Sequence, residues 1–266
     1  MEANKISVVI VSFNRAQQLR ESLTALCPPP VESTPACQVV VVDNGSRDGS
    51  AFLDEEFPAV RFSRLPRDFG LTRALNIGIR AADGEYVLLL HDDVRIELPA
   101  VMALAEYLEG RPDIGAVCPK LNTPQVRAIP TPSETDPPLT LAGVGDEVVA
   151  YCVSGAAIMV RTAFLRSLGH IDERYGNYGS DIEICAQMRT SGRKIVVLNN
   201  VTAVHGTTPS PAPSAALDGD RAAGTAAFLS KHYGFAAGLL YRLRTSLLAL
   251  VTFRFAVLGA AKIDGS

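Results

Sequence analysis

The 266-residue sequence has no tryptophan and few cysteines. The five cysteines form no C-x-x-C pair, and their odd number makes a poor disulfide framework. A reducing cytosol is the compartment that this cysteine usage fits best. The cysteines stand at positions 27, 37, 118, 152 and 185.

An excess of one charge and a long apolar run are also missing. The 25 basic and 28 acidic residues leave a net charge of -3, and without a long basic run we expect no nucleic-acid partner. No stretch reaches the roughly 18 uninterrupted apolar residues of a membrane span, because Arg242, Arg244 and Arg254 interrupt the most apolar region. The start, MEANKISVVIVSFN, is predicted to be a strand rather than a signal peptide, so we expect a cytoplasmic protein.

Apolar residues make up 47% of the chain and occur in short β-branched runs. The runs KISVVIV (5–11), QVVVVD (38–43), VRFSRL (60–65) and EYVLLL (85–90) are predicted strands. They lack apolar–polar alternation, which is typical of strands buried on both faces of a parallel sheet. Ligands bind such sheets at the edge formed by the carboxyl ends of the strands.

Leucine spacing between these runs predicts two crossover helices, and a third helix is predicted over about 98–109. The first half of the chain therefore predicts an α/β fold with a mostly parallel sheet flanked by helices. The spaced residues are Leu19, Leu23 and Leu26 in the first helix and Leu71, Leu75 and Ile79 in the second.

The second half continues this pattern with two proline-rich interruptions. The stretch over about 122–146 is predicted to be a loop, either in contact with substrate or disordered. The stretch 207–219 separates the core from a C-terminal helical tail. Strands are predicted over 114–117, 151–160, 194–198 and 201–204, and helices over 161–168 and 180–190.

Asp43 ends the second predicted strand and is followed by turn residues in VVVVDNGSRDGS. A carboxylate at this edge can accept hydrogen bonds from a nucleotide base or a ribose. D-N-G-S is equally ordinary turn sequence, so both interpretations stay open at this point.

Two adjacent carboxylates follow the fourth strand in LLLHDDV. Asp92 and Asp93 repel each other unless a cation neutralises them, and carboxylate oxygens suit Mg²⁺ or Mn²⁺. Because side chains alternate in an extended segment, His91 and Asp93 would share a direction, and Asp93 is the predicted metal ligand. Asp92 is predicted to hydrogen-bond ribose or sugar, with solvated turn residues as the alternative interpretation of the pair.

Asp181, in YGNYGSDIEIC, opens a predicted helix that Ser180 could cap. The positive end of the helix dipole should keep Asp181 ionised, so it could take the proton from an attacking hydroxyl as a catalytic base. A purely structural role at the helix end is the alternative. His205, in TAVHGTT, is a candidate metal ligand, although a single histidine is more often structural.

Four segments, taken in order, resemble the family 2 glycosyltransferases, and most closely their rhamnosyltransferase-like branch. The resemblance covers about residues 5 to 206. It implies a GT-A fold with a Rossmann-like sheet, a nucleotide diphosphate sugar donor, a divalent cofactor (Mn²⁺ or Mg²⁺), and inversion at the anomeric carbon. The segments are VVIVSFNR, VVVDNGSRDGS, DFGLTRALNIGIRAADGEYVLLLHDDV and GHIDERYGNYGSDIEICAQMRTSGRKIVVLNNVTAVHG.

The same resemblance implies roles for individual residues. Asp181 matches the base, Asp93 the metal-binding carboxylate, and His205 a late histidine that contacts metal or diphosphate. His91 stands where the family usually has Asp or Asn, and Ser180 where it usually has Glu. The positions that match the nucleotide-sugar site are Ser12, Asn14, Asp43, Asp68 and Asn76.

These interpretations predict an inverting glycosyltransferase of polysaccharide, glycolipid or glycoconjugate synthesis, with a saccharide or lipid-linked acceptor. Residues 1–206 are expected to form the GT-A domain. Residues 207–266 are expected to pack on that domain, on a second copy, or on the inner face of a membrane. The alternatives are a non-catalytic nucleotide-sugar binding or scaffold module and a sugar-nucleotide pyrophosphorylase, although VIVSFNRAQQ lacks the glycine-rich loop of the latter.

Overall fold

The computed structural model describes residues 5–27, 37–126, 129–132, 145–169, 171–206 and 214–251. The first part of the chain alternates strands and helices, as the sequence predicts. The elements are β1 (Ile6–Ser12), α1 (Ala16–Leu26), β2 (Gln38–Asp43), α2 (Leu53–Glu56), β3 (Arg61–Arg64), α3 (Leu71–Ala81) and β4 (Tyr86–His91).

The later part adds antiparallel strands and two long helices. The elements are β5 (Val94–Arg95), α4 (Leu98–Leu108), β6 (Ile114–Leu121), β7 (Glu147–Ala150), β8 (Ala157–Arg161), α5 (Thr162–Ser167), α6 (Ser180–Thr190), β9 (Lys194–His205), α7 (Ser214–Tyr233) and α8 (Phe235–Val251).

One sheet of nine strands runs through the described residues in the order β3-β2-β1-β4-β8-β6-β9-β5, and β7 also pairs with β9. Strands β1 to β4 are parallel, so their carboxyl ends meet at one edge. Strand β8 is antiparallel to both β4 and β6, whereas β6 and β9 are parallel. The α/β fold is confirmed, but the sheet is mixed rather than mostly parallel.

Helices cover both faces of this sheet because the parallel strands are apolar on both sides. Val8 and Ile10 pack with Leu19 and Leu104 on one face. Val9, between them in sequence, packs on the other face with residues of α3 and α6. This three-layer packing explains why the strand sequences showed no alternation.

Two predicted strands differ from the structure. The prediction over 151–160 is wrong at its start, because residues 151–156 leave the sheet and β8 begins only at Ala157. The predictions over 194–198 and 201–204 form one strand, β9, whose pairing with β6 shifts register beside Pro119. A long strand with an irregularity thus looks like two short strands in sequence.

The C-terminal tail is helical, as predicted. Its first helix begins within the proline-rich stretch that precedes the tail. Helix α7 starts at Ser214, inside the stretch over 207–219 that was predicted to separate the core from the helical tail. Its residues Ala227 and Phe228 are buried in the core of the domain, and α8 packs back on α7. Most of the predicted loop over 122–146, and residues 252–266, lie outside the described residues. Across the described part of the chain, no helix is both long and apolar enough to cross a membrane.

Candidate active site

The carboxyl ends of β1, β2 and β4 bring three candidate residues together. Ser12 is the register partner of Asp43, and its neighbour Val11 is the partner of His91. The Ser12 hydroxyl donates a 2.9 Å hydrogen bond to Oδ2 of Asp92. Strands β2 and β4 lie on opposite sides of β1, so the strand order reverses at this edge. Open α/β sheets usually bind their ligands at such a point.

Two loops at this edge are joined by Asn14. Its backbone N–H donates to the hydroxyl of Ser46 over 2.9 Å, and its Oδ1 accepts from the backbone N–H of Arg47 over 2.7 Å. Asn14 has a φ of 54°, a conformation that asparagine tolerates better than most residues. Asp43 accepts from the backbone N–H of Ser46, so the turn interpretation of D-N-G-S describes one of its contacts.

Asp68 and Asn76 occupy different surroundings. Oδ1 of Asp68 accepts a 2.6 Å hydrogen bond from Asn44 at the end of β2, which places Asp68 beside the edge described above. Asn76 lies buried in α3, where both sides of its amide bind the backbone of Ile171. The structure does not bring Asn76 together with the other candidates, and its contact with a donor stays a prediction.

His91, Asp93 and His205 form a cluster in which one potential ligand atom from each lies within 4.8 Å of the others. The antiparallel pairing of β5 with β9 brings them together, because Val94 is the register partner of His205. Nδ1 of His205 is hydrogen-bonded to the hydroxyl of Thr123 over 3.0 Å. That contact fixes the ring and leaves Nε2 directed at Asp93, 3.3 Å from Oδ1.

The donor set of this cluster fits a divalent cation. Oδ1 of Asp93 is buried and has no hydrogen-bond partner among the described residues, despite the nearby ring of His205. A buried carboxylate oxygen without a hydrogen bond is costly unless another ligand satisfies it. Asp93, His91 and His205 could hold a cation through this oxygen and the two imidazoles.

Arg15 compensates the charge of the two adjacent carboxylates. Its Nη1 lies 2.6 Å from Oδ2 of Asp93 and 3.6 Å from Oδ1 of Asp92. Burial acts to raise the pKa of Asp93, but the close contacts of His205 and Arg15 outweigh it and lower that pKa to about 2. Burial dominates at Asp92 and raises its pKa to about 6, against the opposing effect of Arg15.

Asp181 lies in the first turn of α6, as predicted. Its Oδ2 accepts a 3.1 Å hydrogen bond from the backbone N–H of Gly155, and its Oδ1 lies 2.9 Å from the backbone N–H of Ile182. The prediction that Ser180 caps this helix is wrong, because the N-cap is Gly179 and Ser180 is the first helical residue. Gly179 has a φ of 107°, which a residue with a side chain rarely adopts.

The second carboxylate of this helix turn, Glu183, has a structural position. It accepts hydrogen bonds of 2.6 Å from the Tyr175 hydroxyl and 2.8 Å from Gln187. Lys231 and His232 of α7 each place a nitrogen 2.7 Å from it. The acceptor positions of Glu183 are therefore occupied, and its contacts with Lys231 and His232 attach α7 to α6.

One cavity of about 90 Å³ is lined both by His91 of the cation cluster and by Asp181. Gly155, which donates its N–H to Asp181, also lines this cavity. The remaining wall is mostly apolar, including Leu71, Leu75, Leu89, Leu90 and Ile184.

Sequence reasoning overlooked three residues of this site. The sequence predicted that the side chain of His91 points in the same direction as that of Asp93, and the family usually has Asp or Asn there. It did not predict His91 as a metal ligand. Arg15 lies in the recognised VSFNR segment, where its charge next to a predicted carboxylate pair was the available signal. Thr123 gives no sequence signal, because its contact with His205 spans 82 residues.

Comparison with known proteins identifies the family of this chain. The model of the family described as Glycosyl transferase family 2 matches residues 7–168, more than half of the chain. The chain belongs to glycosyl transferase family 2. The match extends from β1 to the end of α5 and contains Arg15, Asp93 and Gly155, while Asp181 and His205 lie beyond it.

Two curated relatives of this family 2 chain each match about two fifths of it. A poly-beta-1,6-N-acetyl-D-glucosamine synthase of Staphylococcus epidermidis is 28% identical over 42% of the chain and 27% of its own length. An undecaprenyl-phosphate 4-deoxy-4-formamido-L-arabinose transferase of Proteus mirabilis is 31% identical over 39% of the chain and 34% of its own length. The matches therefore span about a third or less of these relatives.

The mannosyltransferase PcManGT of Pyrobaculum calidifontis, solved with GDP-Man and Mn²⁺, has a similar structure. The TM-score is 0.61 over 97% of this chain and 86% of that one, at 16% identity. This likeness concerns the fold alone, and it confirms the GT-A architecture expected from the sequence.

Proposed function

We propose that this chain is an inverting, metal-dependent glycosyltransferase that takes a sugar from a nucleotide diphosphate donor. The observation that carries the proposal is the cavity shared by Asp181 and the cation cluster, through His91. Within the family we propose the rhamnosyltransferase-like branch, which rests on the sequence resemblance alone. The two relatives, a polysaccharide synthase and a transferase named for undecaprenyl phosphate, support a saccharide or lipid-linked acceptor.

The cation site would serve the leaving group. A divalent ion held by Asp93, His205 and His91 would offset negative charge that grows on the departing diphosphate. The two imidazoles favour a transition metal such as Mn²⁺ over Mg²⁺, which prefers oxygen ligands throughout. The Mn²⁺ of the structurally similar mannosyltransferase agrees with this choice.

Asp181 would accept the proton of the acceptor hydroxyl. The N–H of Gly155 holds Oδ2 of this carboxylate at the start of α6, beside the cavity. Glu183 is unsuited to this role because its oxygens are already bound to four side chains. A hydroxyl deprotonated in the cavity could attack the sugar opposite the diphosphate, and a single displacement of this kind inverts the anomeric carbon.

The proposed nucleotide pocket comprises Ser12, Asn14, Asp43, Asp68 and Asp92. Their shared location at the carboxyl edge of β1, β2 and β4 supports the assignment. Thermal unfolding against a panel of nucleotide sugars with Mn²⁺ tests it, because a bound donor raises the unfolding temperature. A donor-dependent, Mn²⁺-dependent rise that disappears in Asp93→Asn supports the proposal. Release of the free nucleotide diphosphate distinguishes an enzyme from a binding module, which would hold the donor unchanged.

We further propose that α8 docks on the inner face of an anionic membrane. Leu239, Leu243, Leu247 and Leu250 are exposed at spacings of four, four and three, and so share one helix face. Arg242 and Arg244 flank Leu243, each about 100° around the helix from it, and α8 contains no acidic residue. Apolar side chains bordered by arginines suit the interface of an anionic bilayer.

Flotation with liposomes tests this surface. We expect binding to vesicles that contain phosphatidylglycerol, weaker binding to neutral phosphatidylcholine vesicles, and loss of both in the double variant Leu243→Gln/Leu247→Gln. Met102→Gln, which changes an exposed apolar residue of α4, is the matched control. Concentration-dependent dimerisation without flotation would instead assign the face to a second copy of the chain.

A further inference from the structure

The most strongly charged contact of the site involves a residue that the proposed chemistry does not use. Arg15, the N-cap residue of α1, places Nη1 2.6 Å from Oδ2 of Asp93 and 3.6 Å from Oδ1 of Asp92. Only 15% of its side chain is exposed, so solvent screens these contacts weakly. Arg15 thus already offsets part of the negative charge that a cation would neutralise.

A cation on Asp93 would lie next to the guanidinium. Oδ1 of Asp93 is directed toward His205, while Oδ2 of the same carboxylate holds Arg15. Two positive charges on one partly buried carboxylate repel each other, and the repulsion is stronger there than in water. Either Arg15 moves away when the cation arrives or both bind Asp93 less tightly than each would alone.

We propose that Arg15 makes cation binding dependent on the donor. Without a donor, its charge lowers the affinity of the Asp93 cluster for a divalent ion. An anionic diphosphate in the site removes this penalty, because it pairs with both positive charges. Coupling of this kind is reciprocal, so the cation must raise donor affinity by the same factor.

The proposal rests on the cation site of the proposed function, and it predicts a measurable change in binding alone. Free Mn²⁺ can be titrated by electron paramagnetic resonance with no nucleotide, with UDP and with GDP. We expect Arg15→Gln to bind Mn²⁺ at least about tenfold more tightly than wild type without nucleotide. We also expect the enhancement by UDP or GDP to shrink by the same factor. Arg15→Lys, which keeps the charge, should stay close to wild type.

Two controls separate this proposal from the proposed function. Arg95→Gln removes an equal charge from β5, where Arg95 pairs with exposed Glu21, and it should leave Mn²⁺ binding unchanged. Asp93→Asn should abolish Mn²⁺ binding in every background, and if it does not, the cation site itself is misassigned. The role of Arg15 is contradicted if Asp93→Asn abolishes binding but Arg15→Gln binds Mn²⁺ no better than wild type. It is also contradicted if neither Arg15→Gln nor wild type binds Mn²⁺ without nucleotide.

Discussion

The backbone N–H of Gly155 donates a 3.1 Å hydrogen bond to Oδ2 of Asp181. The next residue, Ala156, accepts a 2.9 Å hydrogen bond from the backbone N–H of His91. Two consecutive residues before β8 therefore connect the proposed base with the cation cluster. The chain re-enters the sheet at this point, and the two hydrogen bonds relate Asp181 to the end of β4.

Gly155→Ala tests whether this close approach positions the base. An added Cβ would lie 3.0 Å from Cβ of Asp181, so the carboxylate must shift by a few tenths of an ångström. We expect turnover to fall about ten- to hundredfold, since small misplacements of catalytic groups are costly. Stability should fall by only about 1 kcal/mol, and donor affinity should be retained.

The matched control for this variant is Gly49→Ala, whose added Cβ would meet only Cβ of Ala16, at 3.7 Å. Turnover is measured as release of nucleotide diphosphate, and stability by circular dichroism. Unchanged turnover in Gly155→Ala would show that the contact with Asp181 does not position the reacting group.

His91 is predicted to be the third ligand of the cation. Removal of an imidazole ligand in His91→Ala should weaken Mn²⁺ binding at least about tenfold, comparable with the loss of supporting groups around metal sites. His91→Asp, which restores the residue type usual in the family, should retain binding because a carboxylate also ligates Mn²⁺. Calorimetric titration measures both variants, and wild-type affinity in His91→Ala would reduce the site to Asp93 and His205.

Glu183→Gln is predicted to weaken the attachment of α7 to the domain. The change leaves Lys231 and His232 without their buried partner, and we expect a loss of about 3 kcal/mol. Glu109→Gln makes the same chemical change in an exposed pair with Lys5 and should have almost no effect. Urea unfolding followed by circular dichroism gives both values, and equal stability of the two variants would contradict the anchoring role.

The same carboxylate predicts how stability depends on pH. Burial acts to raise the pKa of Glu183, but hydrogen bonds from His232, Lys231, Tyr175 and Gln187 lower it from 4.5 to about 2. Because the folded pKa lies below the unfolded value, the stabilisation is present above pH 4.5 and is lost as pH falls toward about 2. Wild type should therefore lose its advantage over Glu183→Gln across that interval, and a constant difference would contradict this assignment.

The strands and helices in the first part of the chain could be predicted from the sequence, because each is marked by residues that lie close together along the chain. β-branched runs and leucine spacing gave the strands β1 to β4 and the helices α1 and α3, since burial on both faces of a sheet imposes an apolar composition. The departure over 151–156 was missed because its sequence, YCVSGA, is as apolar as a strand. The contact of Gly155 with Asp181 in this segment is tertiary, so no local pattern shows it.

The site was predictable to the extent that its residues lie at strand ends. Asp43, Asp92 and Asp93 follow strands, and the common edge of parallel strands brings them together. Asn76 was assigned by resemblance, whereas its buried amide binds Ile171. The pairing of Val94 with His205 spans more than a hundred residues, so no local pattern could show that two histidines and Asp93 meet.

Replacement of Asp181 by asparagine tests the central claim most directly. The measurement compares wild type and Asp181→Asn for donor affinity and for Mn²⁺-dependent release of nucleotide diphosphate, with the nucleotide sugar that most stabilises the wild type. The account predicts nearly unchanged donor affinity and turnover lower by about 10² to 10⁴, because the acceptor loses its base. Turnover equal to that of the wild type would contradict it.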